Sequence, residues 1–153
     1  MHKGVLYITS GTALYHYNMT GTLVKKLFED AGDSYTVFNC AVSPAGDRIY
    51  VTNFRQHKLL TLATDETRIS TSMDPELQNP RGLHVTPAGQ VLVCGNSCNT
   101  VIQVDHEGKK KLATLASQKD GLSQPASVCY NTNTHQVIVG LCGNSKITVN
   151  DLQ

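Results

Sequence analysis

The feature that most constrains this chain is a strand-turn-strand phrase that returns about every 43 residues. The turn SPAG at residues 43–46 returns as TPAG at residues 86–89, and the run IYVT at residues 49–52 returns as VLVC at residues 91–94. The same kind of match links LYIT at 6–9 to IYVT, QVLV at 90–93 to QVIV at 136–139, and IQV at 102–104 to ITV at 147–149. A repeat whose length varies only in its turns predicts a row of equivalent supersecondary units.

Each unit reads as four short strands with turn residues between them. In the third unit the predicted strands cover residues 82–85, 90–94, 100–104 and 110–115. β-Branched and other apolar residues fill the strands, and Pro, Gly, Asn and Asp stand at the turns. No helical periodicity appears, so we predict an all-β chain. Residues 1–153 form a single domain with units at about 4–37, 38–79, 80–123 and 124–153.

The run VLVC at residues 91–94 lacks the alternation of apolar and polar residues that a half-exposed strand shows. A strand that is apolar on both sides must be covered on both sides. Blades of a β-propeller meet this need, because each four-stranded sheet packs between two others. A β-sandwich with evenly spaced strands is the alternative, but it does not predict the repeat. We therefore predict a partial β-propeller of about 3.5 four-stranded blades.

The repeat is incomplete at both ends of the sequence. The first unit begins at its second strand and the fourth ends after its third, which leaves 14 predicted strands. This is fewer than six complete blades would hold, so we expect the chain to be a fragment of a six-bladed propeller. An open arc of blades exposes apolar sheet faces and strand edges, from which we expect self-association.

The units resemble NHL repeats, the propeller blades named for an Asn-His-Leu stretch. The family pattern is carried by PRGL at residues 80–83 through NTVI at 99–102, and by LSQPA at 122–126 through NSKI at 144–147. The name-giving stretch survives in altered form as QHKL at residues 56–59. The resemblance covers nearly the whole chain. There is no Trp and no Gly-His/Trp-Asp signature, so the units do not resemble WD40 blades.

The likeness extends to the C-terminal propeller of tripartite-motif (TRIM-NHL) proteins. The acidic residue that often ends the second strand in that family is missing, and Asn53, Gly95 and Leu141 stand near its place. The resemblance implies a non-catalytic module that selects substrates for a RING-type E3 ubiquitin ligase. The paired Cys/His spacings of a RING or B-box are absent from this sequence, so we do not expect the chain itself to transfer ubiquitin.

The composition of the chain limits the kinds of partner and the cellular compartment that we expect. A net charge of +1 gives no global reason to expect nucleic acid or an anionic membrane, and no apolar run approaches the length of a membrane span. The start of the chain lacks a signal-peptide pattern. The odd number of cysteines, at positions 40, 94, 98, 129 and 142, favours reduced thiols and a cytoplasmic location.

An enzymatic or metal site finds little support in the residues. Of the six histidines, only His84 falls on a predicted inner strand, and its equivalents are Ala41 and Cys129. Cys94 and Cys98 have CxxxC spacing without a second pair, so we expect a buried thiol and a loop thiol. The inner strands carry no Asp or Glu for the metal of a lactonase-like propeller. We predict no catalytic residue, cofactor or metal, with a propeller hydrolase or lyase as a remote alternative.

The basic run Lys109, Lys110 and Lys111 carries the alternative function, because some NHL domains bind RNA through a basic face. By repeat position, however, the run starts the outermost strand of its blade. Lysines at such a position commonly protect a sheet edge against pairing. We expect that structural role and keep RNA binding as the alternative.

The loops between second and third strands, together with the links between blades, build the face on which propellers usually bind. The charges there are mostly acidic, which disfavours RNA as a ligand. We expect instead a protein or peptide ligand with basic residues. The acidic residues are Glu29, Asp30, Asp33, Asp74, Glu76 and Asp120, against Arg55, Lys119 and Arg81. The predicted partner-binding residues on this face are Phe54, Arg55, His57, Arg81, Asn96 and Asn99.

Overall fold

The computed structural model describes residues 4–32, 35–65 and 67–152. Within them it has fourteen β-strands in four antiparallel sheets, and two three-residue 3₁₀ helices. The first two sheets contain β1 (Val5–Ser10), β2 (Ala13–Asn18) and β3 (Leu23–Glu29), then β4 (Val37–Val42), β5 (Arg48–Asn53), β6 (Lys58–Ala63) and β7 (Arg68–Ser72). The others contain β8 (Pro80–Val85), β9 (Val91–Gly95), β10 (Thr100–Val104) and β11 (Lys111–Ala116), then β12 (Pro125–Asn131), β13 (Gln136–Leu141) and β14 (Ile147–Asp151).

Each sheet follows chain order, with every strand paired to the one before it. The first strands of the sheets lie side by side, so that β8 contacts β4 on one side and β12 on the other. We refer to the four sheets as blades one to four. Sheets that fan out from neighbouring inner strands form a β-propeller. The prediction of an all-β, partial β-propeller is confirmed; the residue boundaries of the repeat units remain a prediction.

The apolar strand β9 shows why the sequence needs this arrangement. All five of its residues are buried. Val91 and Val93 belong to an apolar cluster that includes Tyr50 and Leu59 of blade two. Leu92 and Cys94 face the other way, into a cluster with residues of blade four (Val128, Val137 and Val139). Successive side chains of a strand point to opposite faces, and here both faces are covered by a neighbouring blade.

The turns at residues 43–46 and 86–89, which revealed the repeat in the sequence, have the same conformation in blades two and three. Gly46 and Gly89 both have left-handed backbone angles, with φ of +77° and +85°. Each N–H donates to the carbonyl three residues earlier, on Ser43 or Thr86, at 2.9 and 2.8 Å. Glycine adopts this conformation without the steric cost that a Cβ would bring.

The inner strand β8 begins at Pro80, two residues earlier than predicted. Pro80 pairs with Gly95, and the register shifts between Pro80 and Leu83. Proline lacks an N–H and is accepted at the first position of a strand. This early start places Arg81 on the inner strand itself.

The five cysteines are all free. Cys94 is fully buried and Cys98 lies in a 3₁₀ turn, which confirms the expected buried and loop thiols. The described residues contain no helix with the length and hydrophobicity that crossing a membrane requires.

Candidate functional site

The candidate site lies at one end of the blades, where the turns between second and third strands meet the links from blade to blade. We call this end the link face. It includes the β1–β2, β5–β6, β9–β10 and β13–β14 turns and the chain entering β4, β8 and β12. A cavity of about 420 Å³ opens here between the end of β1, the start of β4, the β5–β6 turn and Arg81.

Three of the predicted partner-binding residues line this cavity: Phe54, Arg55 and Arg81. The structure adds Tyr35 and Phe38, which the sequence analysis did not single out. Tyr35 is 71% exposed and Phe38 is 45% exposed, values that are high for large aromatic side chains. The cavity therefore presents aromatic surface to solvent beside two cationic groups.

Arg81 and the two phenylalanines form a compact stack. The Arg81 guanidinium carbon lies 5.2 Å from the ring centre of Phe54 and 5.5 Å from that of Phe38. The two rings are themselves 5.8 Å apart and tilted by 32°. A guanidinium within about 6 Å of a ring face is attracted by the ring quadrupole. Two such contacts hold the Arg81 side chain in one place.

The equivalence of the blades explains why these residues meet. Val37, Pro80 and Pro125 begin the three inner strands and occupy matching positions opposite the last residue of the second strand. Their successors, Phe38, Arg81 and Ala126, are therefore equivalent positions at the centre of the link face. Aligning the inner strands would have identified Phe38 in the sequence as the counterpart of Arg81.

The charge of Arg81 has no carboxylate partner in residues 4–32, 35–65 and 67–152. Its Nη1 donates to the sulfur of Cys142 in the β13–β14 turn, at 3.4 Å. Its Nε is buried and has no acceptor within the same part of the chain. Sulfur is a weak acceptor, so most of the hydrogen-bonding capacity of the guanidinium is unused.

His57 and Asn99 lie elsewhere on the link face and have a structural role. Each immediately precedes the third strand of its blade and has a left-handed backbone, with φ of +58° and +56°. Nδ1 of His57 accepts the backbone N–H of Asn79 at 2.9 Å, and Oδ1 of Asn99 accepts that of Gln124 at 2.8 Å. Both side chains therefore tie a turn to the link that enters the next blade.

Asn96 does not offer the exposed hydrogen-bonding group that we expected. It is 7% exposed, and its side-chain amide donates to the carbonyl of Pro125 at 3.2 Å. The expectation failed because residues 96–98 form a 3₁₀ turn that tucks the side chain between blades three and four. Asn96, like His57 and Asn99, contributes to the joints between blades, and partner binding at these three residues remains an untested prediction.

The acidic residues of the link face are largely engaged with other groups. Asp30 accepts from the side chain of Gln56 at 2.9 and 3.0 Å, and Glu29 pairs with Lys26. Asp120 accepts the backbone N–H of Ser117 at 2.9 Å. Asp33 lies outside the described residues. None of the described acidic residues lines the cavity itself, which bears Arg55 and Arg81.

The basic run of Lys109, Lys110 and Lys111 lies at the start of an outermost strand, as the repeat pattern predicted. Lys111 begins β11, the outermost strand of blade three, and Lys109 and Lys110 precede it. Lys111 contacts Glu76 and lies 3.5 Å from Asp74, both in the link between blades two and three. The hydrogen bond from Lys111 lowers the pKa of Glu76. Lys109 lies 3.4 Å from Glu107, so two of the three lysines have a carboxylate neighbour.

His84 lies on the inner strand β8, as predicted, and burial lowers its pKa. In the part of the chain that the structure describes, no three His, Cys, Asp or Glu side chains come together as a metal site would require.

Comparison with known proteins adds to the fold. No protein-family model and no curated protein sequence matches this chain. Among solved structures, a chain of a nidogen/laminin complex is similar with a TM-score of 0.80 and 17% identity, over 98% of this chain and 57% of that one. Kuenenia stuttgartiensis hydrazine synthase is similar with a TM-score of 0.75 and 16% identity, over 95% of this chain and 42% of that one. Staphylococcus aureus virginiamycin B lyase has a TM-score of 0.70 and 14% identity, over 99% of this chain and 53% of that one.

These likenesses support the propeller fold and are too distant in sequence to show more. The chain spans about half the length of the solved chains that it matches. One of those neighbours comes from a nidogen/laminin complex, one is named as a lyase and one as a synthase, so the shared fold occurs in proteins of more than one kind.

Proposed function

We propose that this chain is a non-catalytic protein-recognition module whose link face binds a protein or peptide. The observation that carries the proposal is the cluster of exposed Tyr35 and Phe38 with half-buried Phe54 beside Arg81, in a cavity of about 420 Å³. Aromatic and arginine side chains are the residue types that dominate protein-binding hot spots. The nidogen/laminin neighbour agrees with protein binding by this fold.

The finer part of the proposal rests on the repeat pattern. Because the units resemble NHL blades of TRIM-NHL proteins, we propose that the parent protein is a RING-type E3 ubiquitin ligase that uses this propeller to select substrates. Ubiquitin transfer would then belong to other domains, and this chain would act in the cytoplasm. Mapping the 5′ end of the native transcript tests this: an upstream Cys/His-rich RING and B-box supports it, and their absence from the complete transcript refutes it.

The binding function can be tested with a random peptide library displayed on phage and selected on the purified chain. We expect Phe38→Ala to lower the affinity of the selected peptides by roughly tenfold, the effect of truncating a modest hot-spot residue. Leu112→Ala is the matched control, because Leu112 is equally exposed at 45% but lies on the outer strand β11.

The two variants separate the possible results. Loss of binding in Phe38→Ala alone supports the link face as the recognition surface. Equal binding by both variants and the wild type would place recognition elsewhere. Failure of the wild-type chain to enrich any peptide would count against a peptide-recognition module altogether.

A further inference from the structure

We infer that the link-face cavity receives a carboxylate side chain, so that the ligand is a peptide with Asp or Glu beside an apolar residue. This inference rests on the proposed recognition function and adds the chemistry of its ligand. It reverses the preference for a basic ligand that the count of charges along the loops suggested.

The first argument is the local charge. The cavity is lined by Arg55 and Arg81, and neither has a carboxylate partner among residues 4–32, 35–65 and 67–152. The described acids of the same face bind elsewhere, for example Glu76 with Lys111. Among the described residues, a ligand carboxylate would therefore meet two cations in the cavity and no competing anion.

The second argument is the state of the Arg81 side chain. The rings of Phe38 and Phe54 hold its guanidinium at 5.5 and 5.2 Å, so little side-chain freedom is left to lose on binding. Its one acceptor in the described residues is the Cys142 sulfur, and its buried Nε has none. A planar guanidinium that lacks an oxygen partner matches the two oxygens of a carboxylate.

The third argument is the surface around the cation. Tyr35 and Phe38 leave 71% and 45% of their surface exposed at the rim of the same cavity. An apolar side chain adjacent to the acid would cover these rings. Covering them would also exclude water from the ion pair, which strengthens the attraction between the charges.

The same residues fit RNA less well. A single strand is bound by aromatic platforms within a positively charged groove that follows several phosphates. Here the guanidinium already stacks on both phenylalanine rings, and within the described part of the chain the cations that line the cavity are two arginines. The lysine run does not line this cavity, and Lys111 contacts Asp74 and Glu76.

The test uses the purified full chain and a peptide taken from the phage selection described above, made in pairs with Glu or Gln at its acidic position. We expect acidic residues to be enriched among the selected peptides. We expect the Glu peptide to bind about tenfold more tightly than the Gln peptide, as a charge-assisted pair predicts. In Arg81→Gln both peptides should bind equally, and in Arg55→Gln the difference should shrink.

Arg68→Gln is the matched control. Arg68 also stacks on a phenylalanine, with its guanidinium carbon 5.5 Å from the Phe28 ring centre, but it lies on the outer strand β7. This variant should keep the full preference for Glu. If Arg81→Gln fails to fold, Arg81→Lys and Arg55→Gln replace it, and each should reduce the preference for Glu without abolishing it, since Lys keeps the charge and loses the planar fork.

The outcomes separate this inference from the function on which it rests. Peptides that need Phe38 but show no preference for Glu would overturn the inference and leave the recognition function standing. Enrichment of Lys or Arg would overturn the inference in the same way. Displacement of the peptide by a uridine decamer, lost in Arg81→Gln, would assign the cavity to RNA and overturn both. No selected peptide at all would also overturn both.

Discussion

The Nδ1 atom of His57 accepts a hydrogen bond from the backbone N–H of Asn79, 2.9 Å away and one blade further on. The same joint recurs between Asn99 and Gln124. In each case a turn residue with a left-handed backbone satisfies the amide of the link that enters the next inner strand. A buried or half-buried N–H without an acceptor is costly, so these side chains help to fix the angle between blades.

This equivalence gives a prediction about His57. We expect His57→Gly to lower the free energy of unfolding by about 1 kcal/mol, because Gly keeps the left-handed backbone and loses the acceptor. His57→Asn should retain most of the stability, since Asn tolerates this backbone and Asn99 already fills the role in the next blade. Urea denaturation of the three proteins measures the difference. Equal losses in both variants would contradict the role of the acceptor.

Gly82 marks a close approach of two inner strands. A Cβ at this position would lie 2.5 Å from the carbonyl oxygen of Ala126 and 2.7 Å from the Cα of Ser127, both backbone atoms of β12. We expect Gly82→Ala to destabilise the chain by about 2 kcal/mol, within the range for overpacked sites. The midpoint of thermal unfolding is the measurement.

Gly140→Ala is the control for that substitution. Its added Cβ would meet the Ser127 hydroxyl oxygen at 2.4 Å, a side-chain atom that can rotate away. The loss should therefore be much smaller than in Gly82→Ala. A loss as large as that of Gly82→Ala would mean that backbone proximity is not what makes Gly82 necessary.

The cysteines should differ sharply in reactivity. Burial raises the pKa of Cys94 to about 12 and that of Cys40 to about 11, whereas Cys129 is exposed. At pH 8 a thiol with a pKa near 12 is ionised in about one molecule in ten thousand. Iodoacetamide followed by peptide mass spectrometry should label Cys129 in the native chain, and label Cys94 and Cys40 only after denaturation. Labelling of native Cys94 as fast as Cys129 would contradict the burial of β9.

The contact between Glu76 and Lys111 should make stability depend on pH. The hydrogen bond from Lys111 lowers the pKa of Glu76 from 4.5, so the folded state favours the ionised form. The stabilisation is complete above that ordinary value and is lost as pH falls through the lowered one. Because both side chains are about one-third exposed, screening limits it to about 0.5 kcal/mol at pH 7.

We therefore expect Glu76→Gln to be less stable than the wild type at pH 7, with a difference that disappears under acid conditions. Urea titrations at neutral and acid pH measure it. Glu107→Gln is the control, because Glu107 pairs with Lys109 at 3.4 Å with both side chains more exposed, and its effect should be close to zero at either pH. A difference for Glu76→Gln that stays constant with pH would contradict the ionic origin.

Blade four should mediate self-association. Its last described strand, β14, pairs only with β13 within the described residues, and Ile147 and Val149 on it are 65% and 48% exposed. Unpaired edges with exposed apolar side chains template further pairing. Light scattering at rising protein concentration should show association, and the double substitution Ile147→Lys with Val149→Lys should reduce it. Leu112→Lys should not, because Lys109, Lys110 and Lys111 already protect the edge of β11.

Much of the fold could be predicted from the sequence because the physics that specifies it is local. Turn residues such as Gly46 and Gly89 set where strands end, and the repeat set how many strands each sheet holds. The run at residues 91–94 was apolar on both sides, which required a sheet on either face. In the structure, Tyr50 of blade two packs on one face of this strand and Val128 of blade four packs on the other.

The candidate site was predicted in part. Phe54, Arg55 and Arg81 were chosen as loop residues of a propeller's binding face, and the structure brings them into one cavity. Asn96 was misplaced, because a loop residue in sequence can still turn inward to bond Pro125. Phe38 was overlooked, although its place on the inner strand matches that of Arg81.

The sequence by itself determined the repeat, the strands and the all-β class, since strand periodicity and turn chemistry act over a few neighbouring residues. The tertiary structure alone decided which side chains meet. Arg81 lies 43 residues from Phe38 and 61 from Cys142. Only the packing of inner strands brings these residues to one centre. Charge behaved the same way: counted along the loops it was acidic, but the described acids bond to other groups, and the charged residues among the described lining of the cavity are Arg55 and Arg81.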